Sequence, residues 1–331
     1  MVKFLIIRFS SIGDIVLTTP VIRCIKNQVK GSEIHYLTKK QYTSILENNP
    51  YIDKLWQLNH NFKSIIEDLQ KEKFDHIIDL HHNLRTFRIK NKLRVNSFSF
   101  NKLNIEKWLM VNVKINRLPK VHIVDRYLDT VRLFDVKNDN EGLDYFLSEE
   151  DKNLPPEIIS VLKKEFIVLS IGALHKTKQA PVSKWVEICN KLNIQAVILG
   201  GETDIPEAHE IVKLSTNENI LDLTGKLSLN KSAYVIKQSK LVITHDTGLM
   251  HIASAFKKII ISIWGNTIPE FGMYPYRADK ESKMFEVNGL DCRPCSKLGF
   301  EKCPKGHFRC MLDQNTSEMS DFINRKVDNR Q

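Results

Sequence analysis

"KLVITHDTGLMHIASAFKKIIISIWG", residues 240–265, decides how the rest of the chain is read. An apolar, β-branched run ends at His245 and is followed by the polar turn Asp246-Thr247-Gly248. An apolar helical stretch from Leu249 to Phe256 comes next, and then a second β-branched run that closes on Gly265. Two fully apolar strands joined by one helix imply parallel neighbours, because a parallel pair needs a crossover and a helix supplies it. The fold class that follows is α/β with parallel, doubly wound sheets.

The same alternation spreads outward from this unit. "FIVLSIG" (166–172), "IQAVILGG" (194–201) and "NILDLTG" (219–225) are strand-like, with helix candidates over Trp185 to Leu192, Ile205 to Leu214 and Leu229 to Lys237. The first half repeats the pattern in "KFLIIRF" (3–9), "EIHYLT" (33–38), "DKLWQL" (53–58) and "FDHIIDLH" (74–81). "SEEDKNLPPE" (148–157), charged and carrying two prolines, reads as the linker. At 331 residues the chain is too long for one core. Two Rossmann-like domains are expected, residues 1–150 and 151–331, facing each other across a cleft.

No apolar stretch approaches the roughly 18–20 residues of a spanning helix, and Arg8 cuts short the N-terminal "FLII". A cytoplasmic protein is expected. Forty-nine Lys and Arg against 39 Asp and Glu leave a formal charge of +10, which favours acidic partners. The bias concentrates between Arg85 and Lys120, where Glu106 is the one acidic residue and Phe98, Phe100, Trp108, Leu109 and Met110 are interleaved with cations. That mixture suits peripheral contact with an anionic inner-membrane surface, and equally a solvated basic face beside core aromatics.

In parallel sheets ligands gather beyond the carboxyl ends of the strands, so the turns that follow each strand are the candidate site. After "VITH", Thr247 and Gly248 open a helix whose first amides and positive dipole end suit a phosphate, and His251 lies one turn on. After "LSIG", a loop carries His175, Lys176 and Lys178, and a lysine there is a mobile charge for a diphosphate. After the first strand, "RFSSIGDIVLTTP" (8–20) brings Ser11, Gly13 and Asp14 to the strand end. Thr19 is expected to cap the helix that Pro20 begins, and Asp14 to sit in the bend before it. An acid so placed is a candidate general base, or a helix cap.

"FLIIRFSSIGDIVLTTPVIRCIK", "FDHIIDLHHNLRT", "HIVDRYLDTVRLF" and above all "HDTGLMHIASAFKKIIISIWGNTIPE" resemble the family 9 glycosyltransferases, the ADP-heptose:lipopolysaccharide heptosyltransferases. The resemblance implies a GT-B fold, with the acceptor on the N-terminal domain and an ADP-sugar on the C-terminal one. It further implies inverting, metal-independent transfer of a heptose or similar sugar to a lipid-linked lipopolysaccharide core saccharide. By motif, Asp14 is similar to the base that deprotonates the acceptor, and Lys178 to the lysine at the nucleotide phosphates. Thr247, Gly248 and Leu249 resemble the diphosphate turn, Asp246 the carboxylate at the donor sugar, His251 its neighbour, and Glu202 a ribose-binding carboxylate. Ser11, Gly13 and Arg85 fall on the acceptor side. Where the family follows the lysine with Arg-Trp-Pro, this chain has Gln179 and Ala180 before Pro181, so the sugar carried stays open.

Cys292, Cys295, Cys303 and Cys310 form C-x2-C-x7-C-x6-C, with His307 nearby. Four thiolates in a loop-rich segment suit a structural zinc ion, although the spacing matches no standard finger and unliganded thiols fit too. No cofactor is expected for catalysis. Cys24 and Cys189 lie in helix-like apolar patterns and are expected in the core. Two other functions stand beside the transferase: a nucleotide-sugar epimerase of the same fold, and a zinc-knuckle nucleic-acid-binding module. The transferase reading expects no nucleic-acid partner.

Overall fold

The computed structural model describes residues 1–58 and 62–328, and its contacts divide the chain into two compact units. One comprises residues 1–103 and 120–148, the other 104–119 and 149–331, of which 329–331 lie outside the described residues. The chain therefore passes to the second unit for the short segment 104–119 before returning to finish the first.

The first unit holds a five-stranded parallel sheet built from β1 (Val2–Ile7), β2 (Ser32–Lys39), β3 (Lys54–Leu58), β4 (His76–Asp79) and β5 (Asn96–Ser99). Their order is β3-β2-β1-β4-β5. β1 is central, with Phe4 to Ile7 wholly buried, and pairs in parallel with both β2 and β4. Leu5, Ile7 and Phe9 pack on Leu37, Ile77, Ile89 and the apolar side of the helix Phe62–Lys71. A strand covered on both faces has to be apolar throughout, which is why its sequence runs without alternation.

The second unit holds β6 (Phe166–Ser170), β7 (Gln195–Leu199), β8 (Ile220–Asp222), β9 (Leu241–His245), β10 (Ile259–Trp264) and β11 (Lys283–Glu286). The sheet is all parallel, in the order β11-β10-β9-β6-β7-β8. Trp185, Ile188, Cys189, Ile198, Ile211, Ile243 and Met311 share its main core, and Cys24 is buried in the first unit. Both units thus have the Rossmann strand order, in which the winding reverses between the first and fourth strands of each sheet. The reversal falls between β1 and β4 in one unit and between β6 and β9 in the other.

Several sequence expectations shift locally. Thr19 does not cap its helix: the helix Thr19–Gln28 is preceded by Thr18, and the Thr19 hydroxyl donates to the Val16 carbonyl instead. Asp14 is not in a bend, because Ile12–Val16 is already a helical turn. The helix expected from Trp185 to Leu192 spans Val182–Cys189, one turn earlier, starting directly after Pro181. β5 and β11 were not apparent in the sequence. Phe100 is buried against Tyr127 and belongs to the core, whereas Phe98 is half-buried and packs edge-on against Phe134 at its margin. Among the described residues no helix is long and apolar enough to cross a membrane.

Candidate active site

In the first unit the turn after β1 is organised by Arg8. The arginine directly follows a buried strand, so its charge has to be compensated within the protein. Its Nη2 lies 2.6 Å from Asp14 Oδ1. Nε donates to the Ser10 carbonyl (2.7 Å), and Nη1 donates to the Leu80 carbonyl (2.6 Å) and to the Tyr127 hydroxyl (3.1 Å). One guanidinium therefore ties together the ends of β1 and β4 and the helix Ile123–Leu128.

The other oxygen of Asp14 accepts from the Ser11 backbone N–H (3.1 Å) and hydroxyl (2.8 Å). Burial opposes the charge of Asp14, but Arg8 and the two Ser11 hydrogen bonds outweigh it and hold the carboxyl below its ordinary range. The side chain keeps 20% exposure, so an ionised carboxylate is fixed in place and still reachable. The helix-cap reading holds, because the carboxylate accepts from the Ser11 N–H at the start of the helical turn Ile12–Val16. Gly13 is buried and contributes its carbonyl to the Leu17 N–H.

The turn after β4 is set by Asp79, which sequence reasoning passed over. Fully buried, it accepts from the N–H groups of His81 and His82 (3.1 and 2.7 Å) and pairs with Lys90 at 2.9 Å. Burial and the nearby Arg8 charge push His81 down to about 4, leaving its ring neutral against Phe9. Arg85 is exposed on the helix Leu84–Leu93, whose first turn is capped by the Asn83 side chain.

In the second unit the strand ends of β6 and β9 bring Lys178 and Asp246 together. Lys178 Nζ is 2.5 Å from Asp246 Oδ2, which also accepts from the Thr267 hydroxyl at 3.2 Å. Thr247 precedes the helix Gly248–Ala255 and its side chain does not cap it, so the first-turn amides take no acceptor from that residue. Its hydroxyl is instead 3.3 Å from that of Thr244. Gly248 and Leu249 are half-buried at this turn, and His251 is buried. His245 is buried beneath it and pushed by burial to about 4; its Nε2 accepts from the Ala180 N–H at 2.8 Å. Ala180, in one of the two positions that depart from the family's motif, thus donates its backbone N–H to the end of β9.

Lys176 is engaged elsewhere, with Glu207 at 2.5 Å. Glu202 is exposed on a single helical turn, whereas its neighbour Asp204 is buried and accepts from the Gly201 N–H at 2.8 Å. Burial raises the Asp204 pKa. A Cβ at Gly172 would stand 2.1 Å from Asp204 Oδ2, and one at Gly200 would stand 2.9 Å from Asp204 Cβ. The strand-end glycines are therefore there to admit Asp204, a reason the sequence alone did not disclose.

One further group gathers ligand-type atoms: those of Glu33, His35 and Glu72 lie within 4.8 Å of one another. Lys3 pairs with both glutamates and Lys54 with Glu72, while the Trp56 indole N–H donates to His35 Nδ1. The cluster is a set of ion pairs already neutralised by lysine.

Comparison with known proteins first defines the class. The fold is shared with E. coli ADP-heptose lps heptosyltransferase II, at a TM-score of 0.75 and 16% identity over 98% of each chain. It is shared also with E. coli heptosyltransferase WaaC solved with ADP, at 0.69 and 18% over 98% of this chain and 99% of that one. The two units thus have the GT-B fold. A curated relative, lipopolysaccharide heptosyltransferase 1 of Campylobacter coli, is 29% identical over 80% of this chain and 84% of its own length. The model of glycosyltransferase family 9 (heptosyltransferase) matches residues 35–299, and the chain belongs to that family.

Proposed function

We propose that this glycosyltransferase moves a heptose from ADP-heptose to a lipopolysaccharide core saccharide, with inversion and without a catalytic metal. The observation that carries the reading is the Lys178–Asp246 pair at the winding reversal of the second sheet, beside the start of the helix Gly248–Ala255. The names of the relatives support the donor and acceptor. The Campylobacter coli protein is a lipopolysaccharide heptosyltransferase, and E. coli WaaC was solved with ADP and with ADP-2-deoxy-2-fluoro heptose.

Glycosyl transfer builds negative charge on the departing diphosphate. Fixed donors stabilise that charge best when they need no reorganisation, and a helix start plus one ammonium group fit the task. Lys178 exchanges part of its contact with Asp246 for the phosphates, and the carboxylate turns to hydroxyls of the sugar. Thr247, Gly248 and Leu249 present backbone amides, His251 packs below them, and Glu202 takes the ribose. On the acceptor side Asp14 removes the proton of the attacking hydroxyl, while Ser11 fixes the carboxylate and Gly13 and Arg85 border the acceptor. A single displacement needs a single base.

The acceptor is anchored in lipid, and the surface offers a matching feature. On the helix Leu84–Leu93, Leu84 and Phe87 are 78% and 56% exposed, with Arg85 and Arg88 exposed beside them. Apolar side chains flanked by cations favour peripheral contact with an anionic inner-membrane surface.

The test is a thermal-shift series with ADP, UDP, GDP and ADP-heptose, followed by transfer to a heptose-deficient core acceptor. A ligand that binds the native state raises its melting temperature. Stabilisation by ADP and ADP-heptose, with ADP release only when acceptor is present, is expected. Turnover of the donor without acceptor would point to an epimerase, and absence of any nucleotide effect would refute the donor site.

A further inference from the structure

Residues 287–308, between β11 and the short helix Arg309–Leu312, form no helix or strand, yet their course is fixed by contacts with both donor-side loops. The Thr177 N–H donates to the Phe300 carbonyl (3.0 Å), and the Phe300 N–H donates to the Thr177 hydroxyl (2.8 Å). His175 packs where Gly299 lacks a side chain; a Cβ there would be 2.5 Å from His175 Cβ. Arg293 donates to the carbonyls of Gly265 and Thr267, and the Cys295 N–H to that of Asn266. A segment without secondary structure needs something else to define it, and this one carries four cysteines.

All four are free thiols. Cys310 is buried and Cys292, Cys295 and Cys303 are half-buried. Cys292 and Cys310 are electrostatic neighbours of Cys295, and Cys292 and Cys303 are electrostatic neighbours of Cys310. His307 settles which atoms are available. Its Nδ1 accepts from the Arg309 N–H at 3.0 Å, so its proton is on Nε2, and Nε2 lies 3.7 Å from Cys292 Sγ. The imidazole is therefore a donor to that sulfur, and its lone pair is already used. A hydrogen bond to a ligating sulfur is one of the outer contacts by which a protein tunes a metal site.

We infer that Cys292, Cys295, Cys303 and Cys310 bind one structural zinc ion as thiolates, with His307 donating a hydrogen bond to the Cys292 sulfur. Each thiol releases its proton to solvent as the bond to zinc forms, and a tetrahedral four-sulfur shell leaves no open position for catalysis. The sulfurs are less tightly gathered than the Glu33, His35 and Glu72 ligand atoms, so closing the shell requires side-chain rotation in this segment. The ion would brace the loops that carry Lys178 and Thr267 without touching donor.

The test uses the full chain, produced with zinc in the medium, purified without chelator and analysed for metal by mass spectrometry. One zinc per chain is expected, lost in Cys295→Ser and in Cys303→Ser. Because either variant could fail to fold, the wild type is also stripped and reloaded with cobalt(II). The intense visible bands and sulfur charge transfer of a tetrahedral thiolate site are expected. His307→Ala should keep the metal but bind it about 10–100-fold more weakly. Absence of stoichiometric zinc together with absence of the cobalt spectrum would overturn the assignment, as would full zinc content in both cysteine variants or stoichiometric iron in place of zinc. None of these readouts depends on sugar transfer, so the inference stands or falls apart from the proposed reaction.

Discussion

Each unit sets a cation against an aspartate at the winding reversal of its sheet, but the two pairs are built in opposite senses. Arg8 is buried and spends its donors on Asp14, two carbonyls and a tyrosine hydroxyl. Lys178 has one carboxylate within 2.5 Å and a weak contact at 3.4 Å to the Asp246 carbonyl. A planar guanidinium with five donors suits a fixed frame, whereas a lysine ammonium on a flexible stem can change partners. In the proposed reaction the first unit's cation is scaffold and its carboxylate the working group, while in the second the ammonium works and the carboxylate holds it ready.

That contrast is open to attack by substitution. Asp14→Asn should lower kcat by about 10²–10⁴ while ADP still raises the melting temperature as in the wild type. Retained turnover would remove Asp14 from the chemistry. Lys178→Ala should reduce kcat/KM for the donor by roughly 10²–10³ and diminish the ADP-induced thermal shift, the reverse pattern. If both variants lost nucleotide binding equally, the division of labour would be wrong.

Arg8→Met tests the scaffold side. Removing one member of a largely buried pair should cost about 3 kcal/mol, near the lower end for such pairs because Asp14 keeps some exposure, measured by urea unfolding. The same change has a pH signature. The Asp14 pKa is depressed from 3.8, so the stability contributed by its ionised form is present above that value and lost as pH falls through the lower folded value. Without Arg8 the acid limb of the rate profile should move upward; an unmoved limb would mean that Asp14 does not set it. The smallest effect is expected at Gly172→Ala, which drives a methyl group into Asp204 and should cost about 1–3 kcal/mol. Combining it with Asp204→Ala should recover part of that loss.

Much of this architecture was legible because parallel strands buried on both faces leave unbroken apolar runs, as in Phe4 to Ile7 and Leu241 to Ile243. β5, "NSFS", and β11, "KMFE", escaped because they are four-residue edge strands that are paired on one side and half exposed, so their sequences need no apolar run. The turns carrying Asp14, Lys178 and Thr247 could be located because strand order makes the carboxyl ends special. Arg8 could not be weighed properly, since it looked like the end of an apolar run. Its signal was a charge directly following a buried strand, which obliges a partner, and Asp14 was within reach. Asp204 was hidden by its exposed neighbour Glu202, and only the three-dimensional crowding at Gly172 and Gly200 exposes its place.

The excursion of residues 104–119 into the second unit has a consequence for anyone cutting this protein apart. Lys114 donates to the carbonyls of Cys292 and Pro294, so a piece of the first half of the polypeptide is stitched to the cysteine segment. A clone ending at Ser148 would carry that stitch away with nothing to fasten it to, and one starting at Glu149 would lack it. Chimaeras that exchange the second unit between relatives therefore need two grafts rather than one.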